Sequence, residues 1–326
     1  MNIKPLLGDA DSILVIGHQN ADPDAVASVI AFSELYQTVN PAGASYLACT
    51  DISRLSQQVL DTFAPDIKIL KEPDLEPDLV ILLDTNSREQ VGGKLKNYLN
   101  EPPQTLVIDH HEPNPEIEQL ASHVIQEPNR SSTCELLLSV FNDMRIQPSK
   151  MVANLLLAGL LFDTRRFFYT DKKTLLAAID LIEAGADYES CVTSLIIRPE
   201  RSERIARLKA ARRTKIHKID EWIVVTSVIG AFEASSCRGL ISLGADVAIA
   251  GGQQGENSVR LSSRSTKHFY NETGVNLGCD VMEPVGEIIG GKGGGHPNAA
   301  GANGRGNLKK ALNKSVELIK KAIHAR

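Results

Sequence analysis

Four apolar runs in this chain each end on an aspartate or a histidine. ILVIG runs into His18, LVILL into Asp84, TLVI into Asp109, His110 and His111, and LLLAGLLF into Asp163. The first continues as GHQNADPDA, adding Asp22 and Asp24 where a helical pattern begins. Apolar runs of strand length at 13–17, 46–49, 67–70, 79–83 and 105–108 alternate with helical spacing over 24–36 and 53–63. Such alternation predicts an α/β fold with a mostly parallel sheet covered by helices on both faces. Ligands of an open parallel sheet bind beyond the carboxyl ends of its strands, so the first three polar groups are expected to converge there.

After residue 130 the pattern turns helical. Ser132 and Glu135 have the spacing of a capping box ahead of 136–140, and 151–161 and 174–184 read as further helices. The stretch 198–215 holds eight basic and two acidic residues, a local charge of +6 in a chain of net charge −5. It reads either as a solvated helix between domains or as a basic wall facing a polyanion. From Trp222 strand-like segments recur at 223–229, 247–250 and 258–263, with helices expected near 278–289 and 307–325. Residues 290–306 between those helices are glycine-rich. The expected organisation is an N-terminal domain over 1–190, a helical basic linker over 191–220 and a smaller α/β domain over 221–326.

A content of 42% hydrophobic and 23% charged residues excludes wholesale disorder, and the net charge excludes a globally basic surface. The longest apolar run, 155–162, is too short to cross a bilayer. No apolar leader follows Lys4, so a cytoplasmic location with no membrane partner is expected. Five scattered cysteines without a CxxC pair read as buried free thiols in a reducing compartment, not as a zinc site or disulfide frame.

Any one strand-end aspartate or histidine reads first as a cap or turn residue. Four separate carboxylate-bearing sites are different, because they cannot converge unless cations offset their repulsion. Imidazole and carboxylate without thiolate suit Mn²⁺, or Mg²⁺, better than structural zinc. Two ions sharing one carboxylate would fit six such ligands.

The runs HQNADPDA, LLDTNSREQVG, VIDHH and LFDTRRF resemble, in order and spacing, the four motifs of the DHH phosphoesterase family. The later GGKGGGHPNAAGA resembles the glycine-rich signature of its companion domain, DHHA1. The resemblance covers nearly the whole chain and implies a two-manganese hydrolase whose site faces a cleft between the domains. It implies His18 and Asp22 on one ion, Asp24, His110 and Asp163 on the other, and Asp84 bridging the pair. His111 is similar to the family histidine that approaches the phosphate and protonates a leaving oxygen, with Asp109 supporting it. Arg264 resembles the phosphate-gripping arginine, and Ser265, His296, Gly294 and Gly295 are the implied substrate contacts around it. Three positions depart from the family pattern: Ala21 for a common proline, Pro23 for glycine or threonine, and Arg165 for glycine. The last places a long cation beside Asp163, as a candidate substrate contact.

The implied substrates are short RNA or DNA oligonucleotides or dinucleotides, as in the nanoRNase branch, with phosphatase action on 3′-phosphoadenosine 5′-phosphate alongside. Cyclic di-AMP, or its linear product pApA, is the alternative. A RecJ-like exonuclease ranks lower, because no stretch after the second domain is left for an added oligonucleotide-binding module. The family's pyrophosphatases share the first four motifs and lack the GGGH run. A noncatalytic nucleotide-binding regulator is disfavoured because all six ligand positions are filled. A homodimer is left open.

Overall fold

The segment Leu79–Leu83 is apolar at every position and all five side chains are buried, as the centre of a helix-covered parallel sheet demands. The computed structural model describes residues 3–100, 104–254 and 258–325, and the chain divides after Ile197 into two units. The first unit opens with α1 (Lys4–Asp9), β1 (Ser12–Ile16), α2 (Pro23–Val39), β2 (Ala44–Ala48), α3 (Arg54–Phe63) and β3 (Leu79–Leu83). It goes on through α4 (Arg88–Val91), β4 (Gln104–Asp109), α5 (Pro115–Leu120) and β5 (His123–Gln126). Four helices close it: α6 (Thr133–Asp143), α7 (Lys150–Asp163), α8 (Lys172–Glu183) and α9 (Tyr188–Ser194).

All five strands are parallel, in the order β2-β1-β3-β4-β5. From β1 the chain moves outward to β2 and then returns across to β3, so the order reverses beside β1 and leaves a crevice at the carboxyl ends of β1 and β3. Strand side chains alternate between two cores. Ile13, Val15, Ile81 and Leu106 face the larger one, with α2 and α7, and Leu14, Ile16, Val80 and Leu82 face the smaller. Helices α2 and α7 pack against each other and are buried along most of their length, which is why their apolar residues fill more than one stripe.

Two readings of this half are corrected. Residues 67–70 form no strand; only Leu70 bridges to Ala48 at the sheet edge, and Pro65 and Pro73 bound the segment. Conversely, β5 is a strand whose half-buried sequence, HVIQ, carries no apolar run to announce it. The Ser132–Glu135 box is half made. Ser132 Oγ accepts from Glu135 N at 3.0 Å, but the glutamate carboxylate accepts from Ser131 N at 2.9 Å.

The second unit contains α10 (Arg201–Arg212), β6 (Lys215–Ile219), β7 (Trp222–Val228), α11 (Glu233–Ser242), β8 (Val247–Gln254), β9 (Ser258–Ser265) and α12 (Lys267–Thr273). A wide turn at Leu277–Met282 leads into α13 (Glu283–Ile288), then β10 (Lys292–His296), β11 (Ala299–Arg305) and α14 (Leu308–His324). Its sheet runs β10-β11-β9-β8-β7-β6, antiparallel except for the β7–β8 pair. The basic stretch read as a linker lies in this unit, where α10 packs against α11. The glycine-rich stretch is not a loop: it forms the hairpin β10–β11. Glycine is required there, since a Cβ on Gly293 would strike the Met282 carbonyl and one on Gly295 would lie 2.6 Å from the Ala299 oxygen. Four cysteines are buried free thiols, as expected, whereas Cys279 is exposed. Among the described residues no helix is long and apolar enough to cross a membrane.

Candidate metal centre

The crevice of the parallel sheet collects the strand-end residues. His18 stands two residues beyond β1, Asp84 directly follows β3, Asp109 ends β4 with His110 and His111 behind it, and Asp163 is the last residue of α7. Asp22 caps α2, its Oδ1 accepting from the N–H groups of Asp24 at 3.0 Å and Ala25 at 3.1 Å, with Pro23 preset for the first turn. Asp24, in that turn, is completely buried against the start of α6. Asp84 has φ of 55°, a left-handed conformation that aspartate tolerates better than most residues and that turns its carboxylate into the crevice.

These side chains surround a cavity of about 550 Å³, lined by His18, Asp22, Asp84, His110, His111 and Asp163 together with Gln19, Gln90 and Ser131. The last three carry no signal in the sequence beyond their neighbours. Three overlapping sets of ligand atoms lie within 4.8 Å of one another: His18–Asp22–Asp84, Asp24–His110–Asp163 and Asp84–His110–His111.

The tautomers follow from the hydrogen bonds. Nδ1 of His18 lies 2.8 Å from the Gln19 carbonyl and Nδ1 of His110 lies 3.3 Å from the Arg130 carbonyl. A carbonyl can only accept, so each Nδ1 carries a hydrogen, and in the neutral form of either ring the bare Nε2 faces inward. That of His18 faces Asp22 at 3.7 Å and Asp84 at 3.5 Å; that of His110 faces Asp84 at 3.5 Å and Asp163 at 3.4 Å. Lone pairs aimed at carboxylate oxygens repel unless positive charge lies between them. The donor set therefore fits divalent cations, with oxygen and imidazole ligands and no thiolate.

The acid–base balance says the same. Burial works against the His18 cation, but the facing carboxylates of Asp22 and Asp84 outweigh it and raise its pKa to about 11. Burial, and then the Asp84 charge, raise Asp24 to about 8; burial, and then Asp24 and Asp84, raise Asp163 to about 10. Burial also opposes ionisation of Asp22, yet the facing His18 ring holds that carboxyl below the ordinary range. Protons here stand in for cations.

His111 is set apart from the inner cluster. Its Nδ1 donates to Asp109 Oδ1 at 2.7 Å, and this bond, foremost, raises its pKa against the opposing effect of burial. Asp109 is fully buried and its Oδ2 has no partner among the described residues. Arg165 does not line the cavity; its guanidinium lies over the Tyr169 ring at 5.3 Å. It opens a run of three left-handed residues, Arg165 to Phe167, a conformation that glycine adopts freely.

In the second unit, Arg264 on β9 and His296 on β10 both sit opposite Ala299 of β11, so they flank it in one row. Gly294 pairs with Gly301 and Gly295 with Ala300, while Ser265 Oγ accepts from Asn298 at 3.0 Å. Arg264 Nη1 donates to the Ser263 carbonyl at 2.9 Å.

A parallel sheet with acids and imidazoles gathered at its reversal point defines an α/β protein with groups that could hold metal ions. Residues 12–160 match the model of the DHH family, N-terminal domain, and residues 238–325 match that of the DHHA1 domain. A protein of Methanocaldococcus jannaschii with no assigned function is 30% identical over 310 residues, covering 95% of this chain and 92% of its own. The cyclic-di-AMP phosphodiesterase GdpP of Geobacillus thermodenitrificans is 27% identical over 92% of this chain, which spans only 46% of that protein. The "probable bifunctional oligoribonuclease and PAP phosphatase NrnA" of Streptococcus mutans is 26% identical over 90% of this chain and 89% of its own length. The chain belongs to the DHH family of phosphoesterases, with a DHHA1 domain following the first.

Proposed function

We propose that the protein hydrolyses short oligonucleotides or dinucleotides with two manganese ions as cofactors. The observation that carries this reading is the cluster of carboxylates with inward-facing imidazole lone pairs, which needs positive charge at its centre. His18 and Asp22 would hold one ion, Asp24, His110 and Asp163 the other, and Asp84 both. When bound, the pair would lower the pKa of water and offset charge on the phosphate oxygens. The chain's own groups do the rest. His111, oriented by Asp109 and with its pKa raised by that bond, would give a proton to the leaving oxygen, and Gln19, Gln90 and Ser131 offer hydrogen bonds around the cavity. In the second unit the Arg264–His296 row is the proposed phosphate grip, using the fork of the guanidinium.

Short oligonucleotides are preferred over cyclic di-AMP because the NrnA relative matches over about nine-tenths of both chains, whereas more than half of GdpP lies outside its match. The test is a rate panel with Mn²⁺: pApA, RNA of two to five nucleotides, cyclic di-AMP and a 20-mer. The proposal expects the dinucleotide to be fastest and the 20-mer poor. Faster cleavage of cyclic di-AMP than of pApA would overturn it in favour of the signalling phosphodiesterase, and equal rates on dinucleotide and 20-mer would favour a RecJ-like exonuclease. No hydrolysis of any of them would reject all three.

A further inference from the structure

Where the chain enters α6 it reads RSSTCE, and residues 130–134 reach three of the candidate ligands without being ligands themselves. The Arg130 carbonyl accepts from His110 Nδ1 at 3.3 Å. The N–H groups of Thr133 and Cys134 donate to the two oxygens of Asp24, at 2.8 Å and 3.0 Å. The Thr133 hydroxyl donates to Asp84 Oδ1 at 3.0 Å. The segment is anchored in turn by buried Glu135, which accepts from Ser131 N at 2.9 Å and from Arg130 Nη1 and Thr174 Oγ1 at 3.2 Å each.

The Thr133 hydroxyl is not needed to start the helix, because Ser132 already supplies the cap. It is fully buried, and its hydrogen points at Asp84 Oδ1. The three imidazoles near Asp84 stand 3.5 to 3.8 Å from its oxygens, outside hydrogen-bond range. Among the described residues Thr133 is therefore the side chain that donates to this carboxylate at hydrogen-bond distance. It does so where the Asp84 backbone is held in a left-handed conformation, and its own N–H fixes Asp24 on the other side of the centre.

We infer that Thr133 is a positioning residue of the metal centre, locking the carboxylates of Asp24 and Asp84 at the orientation in which they receive cations. The inference rests on the metal-centre reading above. Groups one shell out from a metal, when removed, cost affinity of about 10–100-fold.

Thr133→Ser and Thr133→Ala lose the same methyl and differ by one hydroxyl, so their comparison isolates the bond to Asp84. Mn²⁺ titration of the metal-free protein, by calorimetry and by loss of the free-ion electron paramagnetic resonance signal, reads affinity without turnover. The expected result is Mn²⁺ binding by Thr133→Ala about 10–100-fold weaker than wild type, with Thr133→Ser restored to within about threefold. Equal affinities for the serine and alanine proteins would overturn the inference. Should the alanine protein not fold, Thr133→Val keeps the volume, and wild-type affinity in it would overturn the inference equally. A wild-type chain that takes up no Mn²⁺ would instead reject the metal centre itself, and this inference with it.

Discussion

Removing metal from this protein should make its stability fall as pH rises, and Mn²⁺ should cancel the fall. Asp24 and Asp163 have folded-state pKa values raised to about 8 and about 10, by burial and by neighbouring carboxylates. In the unfolded chain they ionise near pH 4. Between those limits the metal-free folded state holds more protons than the unfolded state, so unfolding releases protons and higher pH favours it. His18, raised to about 11, works in the same direction above its ordinary pKa, while the lowered Asp22 matters only in acid. Because the carboxyls interact, the prudent count is one extra proton, worth about 1.4 kcal/mol per pH unit. From pH 6 to 8 that is about 3 kcal/mol, or roughly 6–12 °C for a unit of this size. Metal-bound carboxylates are already ionised, so Mn²⁺ stabilisation should grow with pH by the same amount. Scanning calorimetry of chelator-treated protein at pH 6, 7 and 8, with and without Mn²⁺, measures it. Trp222, the chain's one tryptophan, lies in the core of the second unit, so its fluorescence identifies that unit's transition. A metal-free transition of the first unit that stays level or rises between pH 6 and 8 would refute the reasoning.

Asp84→Asn should lower hydrolysis of a dinucleotide at least ~100-fold, because the proposed carboxylate serves both ions; substantial activity after exhaustive chelation would reject the two-metal reading. His111→Ala should slow nucleotide substrates by about 10²–10⁴-fold yet barely affect bis-p-nitrophenyl phosphate, whose leaving group needs no proton; equal losses would remove the general-acid role. Gly159→Ala would press a methyl against Cys134 Sγ and 3.1 Å from Asp24 Cα, so it should destabilise the first unit by about 1–3 kcal/mol and weaken Mn²⁺ binding, as read by denaturant titration and calorimetry. Arg264→Ala should leave Mn²⁺ affinity unchanged while slowing dinucleotide cleavage, a split visible by comparing binding isotherms with rates.

His18, Asp84 and the Asp109–His111 group were legible because each follows an apolar run of strand length, and the direction of a parallel strand decides which end of the sheet it reaches, whereas Asp163 ends a helix. Asp22 was doubly marked, since the sequence DPD is also a helix start. The orientation of those side chains was not legible. Nothing local in the sequence shows that Asp84 has positive φ. Thr133 carried no signal in the sequence, because its acceptors lie far off along the chain, at Asp24 and Asp84. The hairpin β10–β11 was hidden for a different reason. Glycine normally weakens a strand, and here it is demanded by backbone pressed against Met282 and Ala299, contacts that exist only after folding.

The spread of the candidate ligands along the chain also sets an order of events during synthesis. His18 and Asp163 lie about 145 residues apart and meet only through the assembled sheet and the packing of α2 on α7. At roughly 5–20 residues per second, a ribosome finishes Asp163 roughly 7–30 s after His18. During that interval the emerging chain offers a cation only loose, partial sets of ligands, open to whichever ion is most abundant. Under the proposed metal centre, selection of the ion would thus fall to the finished sheet, whose geometry and not order of arrival would decide what stays bound.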